Sequence, residues 1–371
     1  MKNLRTKTIL IAGGGTGGHL FPALAIGEEI HRNYSDIKIH YIGSKYGLEA
    51  KVFPIKGVWH SLLPIRGFQR DLRLISILKN LSLPFKILKS LYRVSKIFAE
   101  INPGVLIATG GYASAIPLLY IKIFKINVQT YLQEQNSYPG ITTKYFSSIA
   151  DKIFIAFEDA KYHLNHRTYL TGNPVRSTLS NRFNIKDKNH FNFNSSSKTI
   201  FLFGGSQGSL FLNKLLKSII AELSNSELQV IWQTGDLHYQ KYKQYQSKRI
   251  YITPFLNNMH EAYNQADLVI SRSGALTLAE LTICGKPSIL IPFNSSAGNH
   301  QMKNAKALSN VGAAEIHGEE NIDKNIFYNS IKKLIYNDKK LKKMSEASLK
   351  ISKPYATKNI VEEIFNDINN V

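Results

Sequence analysis

The sequence predicts an α/β protein made of two doubly wound domains, each a parallel sheet covered by helices on both faces, with a cleft between them. The chain has 371 residues, which at roughly 150 residues per domain favours two domains. Apolar runs of strand length alternate with amphipathic helical stretches along the whole chain, a pattern typical of parallel sheets. The alternation restarts after the polar, Asn- and Ser-rich segment 181–198.

The two domains are predicted to divide just before that polar segment. The first domain is expected to comprise residues 1–170, and the second residues 171–354. A last helix is predicted at Thr357–Ile368, after Pro354. We expect this helix to cross back onto the first domain, so residues 355–371 are assigned there.

Each half of the chain contains five apolar runs that we predict to be buried strands. Those of the first half are Thr8–Ala12, Ile37–Ile42, Val105–Ala108, Ile126–Tyr131 and Lys152–Ile155. Those of the second half are Thr199–Phe203, Gln229–Trp232, Ile250–Thr253, Leu268–Ile270 and Ser288–Ile291.

Composition excludes several classes of protein. Hydrophobic residues make up 43% of the chain and aromatic residues 11%, which is too many for a disordered protein. Cys284 is the single cysteine, so a disulfide scaffold and a cysteine-rich zinc site are excluded. No apolar run approaches the ~18–20 residues of a spanning helix. The run Thr8–Ala12 is shorter than a signal peptide's core of ~7–15 residues, so we expect the protein to stay where it is made, as a peripheral protein at the cytoplasmic face of the cell membrane.

The net charge of +21 is partly concentrated in one segment. Residues 72–99 contain no acidic residue, and their basic side chains alternate with apolar ones. Because Pro84 interrupts the segment, we predict two basic amphipathic helices, or one that is kinked. Such a segment is typical of a protein that lies on an anionic membrane surface, although a crossover helix with a lysine-rich outer face is the alternative. The basic residues are Arg73, Lys79, Lys86, Lys89, Arg93 and Lys96.

Three glycine-rich turns each follow a predicted strand and precede a helix, namely residues 13–18, 110–114 and 204–209. Glycine allows a close approach to the backbone amides, and the helix N-terminus attracts an anion, so these turns suit a phosphate. The first turn fits G-x-G-x-x-G, but a dinucleotide site also requires an acidic residue about 20 residues further on. The next strand ends at Gly43-Ser44 and Glu49 lies too far on, so a nicotinamide cofactor is disfavoured and no cofactor is predicted.

A second group of polar residues lies near the carboxyl ends of strands in the second half. Residues 271–280 follow a strand and open a helix, whose amides suit a phosphate. Glu280 lies about a turn and a half into that helix, where its carboxylate suits a ribose diol. The alternative is an ordinary carboxylate near a helix start. Gln301, in the helix start at 299–305, is expected to reach the same crevice and read sugar hydroxyls.

Seven stretches resemble, in order, the peptidoglycan glycosyltransferases that add N-acetylglucosamine to undecaprenyl-pyrophosphoryl-N-acetylmuramoyl-pentapeptide (lipid I to lipid II). The resemblance implies the two-domain GT-B fold, UDP-N-acetylglucosamine bound by the second half, and the undecaprenyl-linked lipid acceptor bound by the first. The stretches are GGGTGGHLFPALAI at 13–26, GGYAS at 110–114, EQNSYPG at 134–140, TGNPVR at 171–176, GGSQGS at 204–209, SGALTLAEL at 273–281 and NHQMKNA at 299–305.

The resemblance also implies roles for individual residues. Glu280 resembles the ribose-binding glutamate, Gln301 the sugar-reading glutamine, and Arg176 the donor-site arginine. Ser206 and the amides around Leu276 and Thr277 resemble the diphosphate contacts, and Ala275, Leu278 and Ala279 belong to the same stretch. Leu256 falls where the backbone holds the uracil. Thr16, Gly17, Gly18 and Asn136 resemble positions that face the transferred sugar or the acceptor.

This sequence departs from the family pattern at two places. The residue before the EQN triplet is commonly histidine in the family and here is Gln133. The loop 294–298 lacks the acidic residue often found before the helix that carries Gln301.

The reaction that the resemblance implies is an inverting transfer, which requires a base and positive potential for the departing diphosphate. His19 is the predicted base because imidazole accepts a proton near neutral pH. A histidine that only fixes the loop is the alternative, and Glu134 is the rival base. No D-x-D pair occurs, so no metal is expected. Arg176 and the helix N-termini would take the leaving-group charge.

Other functions remain open at this point. A related enzyme could glycosylate a diacylglycerol or epimerise UDP-N-acetylglucosamine on the same fold. A basic nucleic-acid-binding module would need aromatic residues interleaved with the basic ones on a stacking surface. Because no such pattern is present, no nucleic-acid partner is predicted.

Overall fold

The computed structural model describes residues 8–67, 80–175, 179 and 190–370. The chain divides into two compact units. The first unit comprises Met1–Arg176 and Tyr355–Val371, and the second comprises Ser177–Pro354.

The first unit is built on a seven-stranded sheet in which every paired strand is parallel. The strand order is β3-β2-β1-β4-β5-β6-β7, the order of a doubly wound sheet with its reversal between β1 and β4. The strands are β1 Thr8–Ala12, β2 Lys38–Ser44, β3 His60–Leu63, β4 Val105–Ala108, β5 Gln129–Glu134, β6 Lys152–Ile155 and β7 Thr168–Leu170.

Both faces of this sheet are covered, because alternate residues of one strand enter different cores. Leu10 and Ala12 pack with the helices that follow β3 and β4, whereas Ile9 and Ile11 pack with the first and last helices of the unit. The helices are α1 Gly17–Asn33, α2 Glu49–Lys56, α3 Leu83–Ile101, α4 Gly111–Phe124, α5 Ile141–Phe146 and, at the C-terminus, α14 Ala356–Asn370.

The C-terminal helix α14 packs against α1 in the first unit. The rings of Tyr34 and Phe365 stack with centroids 3.6 Å apart. Lys152 on β6 forms ion pairs of 2.8 Å with both Glu363 and Asp367 on α14. Apolar stacking and paired charges therefore attach this helix to the first unit, although the chain reaches it only after the whole second unit.

The second unit contains a six-stranded parallel sheet with the order β10-β9-β8-β11-β12-β13. This is the order of the first six strands of the other sheet, so the two units share one topology. The strands are β8 Thr199–Phe203, β9 Gln229–Gln233, β10 Ile250–Thr253, β11 Leu268–Ser271, β12 Ser288–Leu290 and β13 Ala314–Ile316. The helices are α6 Leu210–Ser218, α7 Ile220–Ser224, α8 Asp236–Tyr242, α9 Met259–Gln265, α10 Ala275–Ile283, α11 His300–Asn310, α12 Lys324–Ile335 and α13 Asp338–Lys350.

The ten predicted strands are confirmed, with one large shift in position. The run predicted at Ile126–Tyr131 forms a strand only from Gln129, because Lys125 ends α4 in a left-handed conformation and Ile126 still bonds back to Ile121. That strand continues to Glu134, which the apolar pattern did not predict because its last residues are polar. The strands β3, β7 and β13 were not predicted.

Of the two alternatives predicted around Pro84, the structure agrees with two helices rather than one kinked helix: residues 80 and 81 are helical, Ser82 is a turn, and α3 begins at Leu83. Pro84 lies in the first turn of α3, where a missing backbone N–H leaves no helical bond unmade. Residues 72–79 of the predicted basic segment lie outside the described residues. Within the described part of the chain, no helix is both long and apolar enough to cross a membrane.

Candidate active site

The first unit brings its predicted site residues together at the carboxyl edge of the sheet. Neighbouring strands β1, β4 and β5 run parallel, so the segments that follow them lie side by side. These segments are the first glycine-rich turn, the second glycine-rich turn and the stretch that begins at Glu134. Thr16 is exposed and precedes α1, whose first two residues are Gly17 and Gly18.

His19 connects these three segments. Its Nδ1 lies 2.9 Å from the carbonyl oxygen of Thr109 and 2.9 Å from Oε1 of Gln135. A carbonyl oxygen can only accept a hydrogen bond, so Nδ1 must carry the proton. The lone pair of the neutral imidazole is therefore on Nε2, for which no other described residue is a hydrogen-bond partner.

The imidazole of His19 lies against the backbone of the second turn. A methyl group at Gly110 would lie 2.8 Å from Nδ1 of His19, and one at Gly111 would overlap the carbonyl oxygen of Gly14. Gly111 also has a φ of +79°, which side chains other than glycine rarely adopt. The two turns therefore interlock in a way that leaves no room for a side chain.

We expect Gly111→Ala to destabilise the protein more than Gly57→Ala does. Gly57 has a φ of +62° but open space around it, so alanine there should cost only the left-handed strain of about 1–2 kcal/mol. Gly111→Ala adds an overpacking cost of about 1–3 kcal/mol. Denaturant unfolding of both variants measures the difference, and equal losses would contradict the interlocking of the turns.

Glu134 is buried at the end of β5, and both of its carboxylate oxygens are occupied. Oε1 accepts hydrogen bonds from the backbone N–H and the side-chain amide of Asn136, at 3.0 and 3.2 Å. Oε2 accepts from the N–H of Gly140 at 3.0 Å and from the hydroxyl of Thr143 at 2.6 Å. Four donors converge on this carboxylate, so it organises the loop that contains Asn136.

A buried amide network lies behind this loop, and sequence analysis did not predict it. The side-chain amide of Gln135 donates to the carbonyl of Thr109 at 2.6 Å and is also bonded to Oε1 of Gln133. Gln133 donates to Oδ1 of Asn173 at 3.1 Å, and Asn173 donates to the carbonyl of Gln135 at 3.0 Å. Gln133, the departure from the family pattern, thus joins the partners of His19 to the turn after β7.

In the second unit, Ser206 lies half-buried in the third glycine-rich turn, ahead of α6. Gln233, at the end of β9, joins this turn to a second predicted site residue. Its side-chain amide donates to the carbonyl of Gly205 at 3.0 Å, and its Oε1 accepts from the backbone N–H of Leu256 at 2.9 Å. Sequence analysis missed Gln233. Its only sequence signal is a glutamine that ends the strand Gln229–Gln233, directly after three apolar residues.

Glu280 is buried on α10 and accepts a hydrogen bond of 2.8 Å from the hydroxyl of Tyr263 on α9. The preceding residues Ala275, Leu276, Thr277, Leu278 and Ala279 form the first turns of the same helix. The N-cap of α10 is Gly274, which has no side chain of its own to cap the helix. The positive end of the helix dipole and the buried carboxylate therefore lie on one nine-residue helix.

Gln301 and Arg272 occupy the edge next to α10. Oε1 of Gln301 accepts from the N–H of Phe293 at 3.0 Å, and its carbonyl accepts from the hydroxyl of Ser273 at 2.7 Å. Arg272 is buried, donates to the carbonyl oxygens of Ile291 and Pro292 at 3.0 and 3.2 Å, and is paired with Glu319. Arg272 therefore joins the carboxyl ends of β11 and β12. Its position in the segment 271–280 did not predict this role.

Arg176, the predicted donor-site arginine, lies outside the described residues. Within the described ranges, no group of three or more His, Cys, Asp or Glu side chains is placed to hold a metal ion. That the reaction needs no protein-bound metal stays a prediction.

Both halves of the chain match models of one enzyme family. Residues 9–155 match the glycosyltransferase family 28 N-terminal domain, and residues 199–362 match the glycosyltransferase family 28 C-terminal domain. The chain belongs to glycosyltransferase family 28. The resemblance on which the sequence analysis relied is thereby confirmed.

Two members of the family illustrate how far the similarity extends. The chain is 38% identical over 360 residues to a protein of Flavobacterium psychrophilum, covering 96% of each. It is 36% identical over 373 residues to a protein of Finegoldia magna, covering 96% of this chain and 97% of that one. Both relatives are named UDP-N-acetylglucosamine–N-acetylmuramyl-(pentapeptide) pyrophosphoryl-undecaprenol N-acetylglucosamine transferase.

Solved structures confirm the GT-B fold of this family 28 member. MurG of Acinetobacter baumannii matches with a TM-score of 0.72 and 22% identity, over 97% of this chain and 99% of that one. A Listeria monocytogenes protein described as a UDP-N-acetylglucosamine 2-epimerase matches with a TM-score of 0.69 and 12% identity, over 95% of this chain and 94% of that one. The fold is thus shared by proteins with different described activities, so function has to be argued from the site.

Proposed function

We propose that this chain transfers N-acetylglucosamine from UDP-N-acetylglucosamine to the 4-hydroxyl of N-acetylmuramic acid in undecaprenyl-pyrophosphoryl-MurNAc-pentapeptide, a step of peptidoglycan synthesis. Relatives that carry this activity in their names align with nearly the whole chain. The observation that carries the mechanism is the pair of hydrogen bonds at Nδ1 of His19, because it leaves Nε2 as the proton acceptor.

The acceptor reaction follows from that tautomer. The muramoyl 4-hydroxyl oxygen attacks the anomeric carbon, the bond from that carbon to the diphosphate oxygen breaks, and UDP leaves with the electron pair from the opposite face. Nε2 of His19 takes the hydroxyl proton. The carbonyl of Thr109, held at Nδ1, stabilises the imidazolium that results.

Glu134 is assigned to positioning rather than to proton transfer. A base needs a lone pair directed at its substrate, and the carboxylate of Glu134 already accepts four hydrogen bonds. Two of these donors belong to Asn136, one of the residues expected to face the sugar or the acceptor. Glu134 therefore holds Asn136 in place while His19 serves as the base.

The donor is assigned to the second unit. The third turn with Ser206 and the N-terminus of α10 suit the diphosphate, since both place backbone N–H groups at the positive end of a helix. Glu280 suits the ribose diol and Gln301 the sugar hydroxyls. The bridge from Gly205 through Gln233 to Leu256 links the proposed phosphate contacts to the proposed uracil contact. Arg176 stays a proposed cation for the leaving group.

We expect Glu280→Gln to raise KM for UDP-N-acetylglucosamine by about 10- to 150-fold. A carboxylate that accepts from two ribose hydroxyls makes charge-assisted bonds, and loss of the charge costs about 1.5–3 kcal/mol. Tyr263→Phe is the matched control, because it removes the hydroxyl bonded to Glu280 and keeps the carboxylate. Its effect on KM should be smaller. Melting curves check the fold, and an unchanged KM in Glu280→Gln would remove this residue from the donor site.

The decisive experiment incubates the protein with labelled UDP-N-acetylglucosamine and undecaprenyl-pyrophosphoryl-MurNAc-pentapeptide, and analyses the lipid product. A labelled disaccharide lipid supports the proposal. Two further incubations test the alternatives: donor alone, in which an epimerase would change the sugar, and donor with diacylglycerol. Product in either of these and none with the muramoyl lipid would overturn the proposal.

The first unit is proposed to dock on an anionic membrane, at its cytoplasmic face. Its docking strip consists of four apolar or aromatic side chains that are between 61% and 76% exposed, together with two exposed lysines. Leu81 lies just before α3, and the others lie on one side of that helix. The opposite side of α3, with Val94 and Phe98, is buried in the core. The docking strip is Leu81, Phe85, Leu88, Lys89, Tyr92 and Lys96.

Further apolar side chains are exposed on the two helices that follow α3 in the chain. At the end of α4, the exposed ring of Phe124 packs on Tyr120, which in turn packs on the buried side of α3 at Phe98. Ile123 is also exposed there, and Ile141 and Tyr145 are exposed on α5. Arg93 does not belong to the docking strip, because its guanidinium donates to the carbonyl of Leu62 at 3.2 Å.

A further inference from the structure

A buried carboxylate lies beneath the first glycine-rich turn and has no part in the mechanism above. Glu49, the first residue of α2, is completely buried. Its Oε1 and Oε2 accept the backbone N–H of Gly15 at 3.0 and 2.9 Å, and Oε1 also accepts that of Ser44 at 2.7 Å. None of the described Lys, Arg or His side chains forms an ion pair with it.

Several glycines around the turn make room for this carboxylate. A methyl group at Gly14, Gly43 or Gly47 would overlap the side chain of Glu49. The sequence suggested that the glycines of the first turn make room for a ligand. Gly14 instead makes room for the side chain of Glu49. A buried charge without a cationic partner is costly unless it is hydrogen-bonded, so the arrangement calls for a reason beyond stability.

The N–H of Gly15 points inward to Glu49, which leaves it unable to bind a ligand. Gly15 has a φ of +94°, and the charged acceptor holds it in that conformation. The residues that follow directly are Thr16, Gly17, Gly18 and His19. The negative charge behind the turn also opposes a phosphate there and favours a neutral hydroxyl group.

We infer that Glu49 is a positioning residue for the transfer reaction: it holds the first turn so that Nε2 of His19 meets the acceptor hydroxyl. The inference rests on the proposed function. A misplacement of about 1 Å in a reacting group can cost 10²-fold in rate. Loss of Glu49 should therefore lower kcat while leaving donor binding, which is assigned to the other unit, unchanged.

The test compares Glu49→Ala and Glu49→Gln with Asp151→Asn. Asp151 is the matched control because its carboxylate also accepts a backbone N–H, that of Thr130 at 2.6 Å, but at the amino end of β5, away from the site. We expect kcat to fall about 10²-fold in Glu49→Ala and less in Glu49→Gln, which keeps one oxygen for the two N–H groups. Asp151→Asn should lose stability and keep kcat. KM for UDP-N-acetylglucosamine should stay within about twofold in all three variants.

Hydrogen exchange measures independently whether Glu49 holds the first glycine-rich turn in place. Amides of residues 13–19 should exchange faster in Glu49→Ala, while those of β1 stay protected. Where Glu49→Ala does not fold, Glu49→Gln supplies the same comparison. An unchanged kcat in a folded Glu49 variant, or a loss matched by Asp151→Asn at equal stability, would overturn the inference. If the unsubstituted protein itself forms no product, the proposed function fails instead.

Discussion

We expect His19→Ala to lower kcat by about 10²–10⁴-fold with little change in KM for UDP-N-acetylglucosamine, which is the usual contribution of a positioned base. The physical reason is the fixed tautomer: Thr109 and Gln135 bind Nδ1 at 2.9 Å each and leave Nε2 to accept the proton. Steady-state kinetics with the lipid acceptor measure the effect.

Two further variants separate the base from a histidine that only fixes the loop. Asparagine at position 19 can still donate to the carbonyl of Thr109 but has no group in place of Nε2. His19→Asn should therefore be as inactive as His19→Ala and melt closer to the unsubstituted protein. His31→Ala, at the exposed end of the same helix, should keep full activity. Substantial activity in His19→Asn would show that fixing the loop is the whole role of His19, and Glu134 variants would then be compared.

The second large effect concerns the docking strip. We expect the double variant Lys89→Glu and Lys96→Glu to lose binding to vesicles of anionic lipid by close to a thousandfold at low salt. A basic residue near an anionic leaflet contributes about 1 kcal/mol, and reversal adds repulsion of similar size, so two residues change the binding free energy by about 4 kcal/mol. Vesicle sedimentation across a salt series measures the loss.

Lys342→Glu with Lys343→Glu is the matched control. Both lysines are exposed on α13 in the second unit, and the change in net charge is identical. This control should bind vesicles nearly as well as the unsubstituted chain. The variant of the docking strip should still act on a water-soluble acceptor analogue, because neither lysine belongs to the proposed site. Undiminished vesicle binding by that variant would mean that the strip is only a solvated helix face.

Local sequence determined most of the architecture. Ten strands were predicted because each is a continuous apolar run, and a strand buried on both faces of a parallel sheet must be apolar throughout. The three missed strands, β3, β7 and β13, are each an edge strand of three or four residues, largely without full burial. Each of these three strands has one neighbour and is less buried than the central strands, so its sequence contains little of that signal. The fourth edge strand, β10, was predicted because three of its four residues are buried. The motifs also determined the family, because their order and spacing are local properties of the chain.

The state of each site residue was decided by the tertiary structure alone. His19 acquires its tautomer from residues 90 and 116 positions away, and Glu49 reaches Gly15 across 34 positions. Nothing in the sequence near Glu134 shows that four donors converge on its carboxylate, or that Arg93 is bonded to Leu62 instead of facing a membrane. Hydrogen bonds depend on distances of about 3 Å between atoms, and only the packing of the sheet brings such atoms together. The sequence therefore determined which residues lie at the carboxyl ends of the strands, and the tertiary structure determined which hydrogen bonds each of them makes.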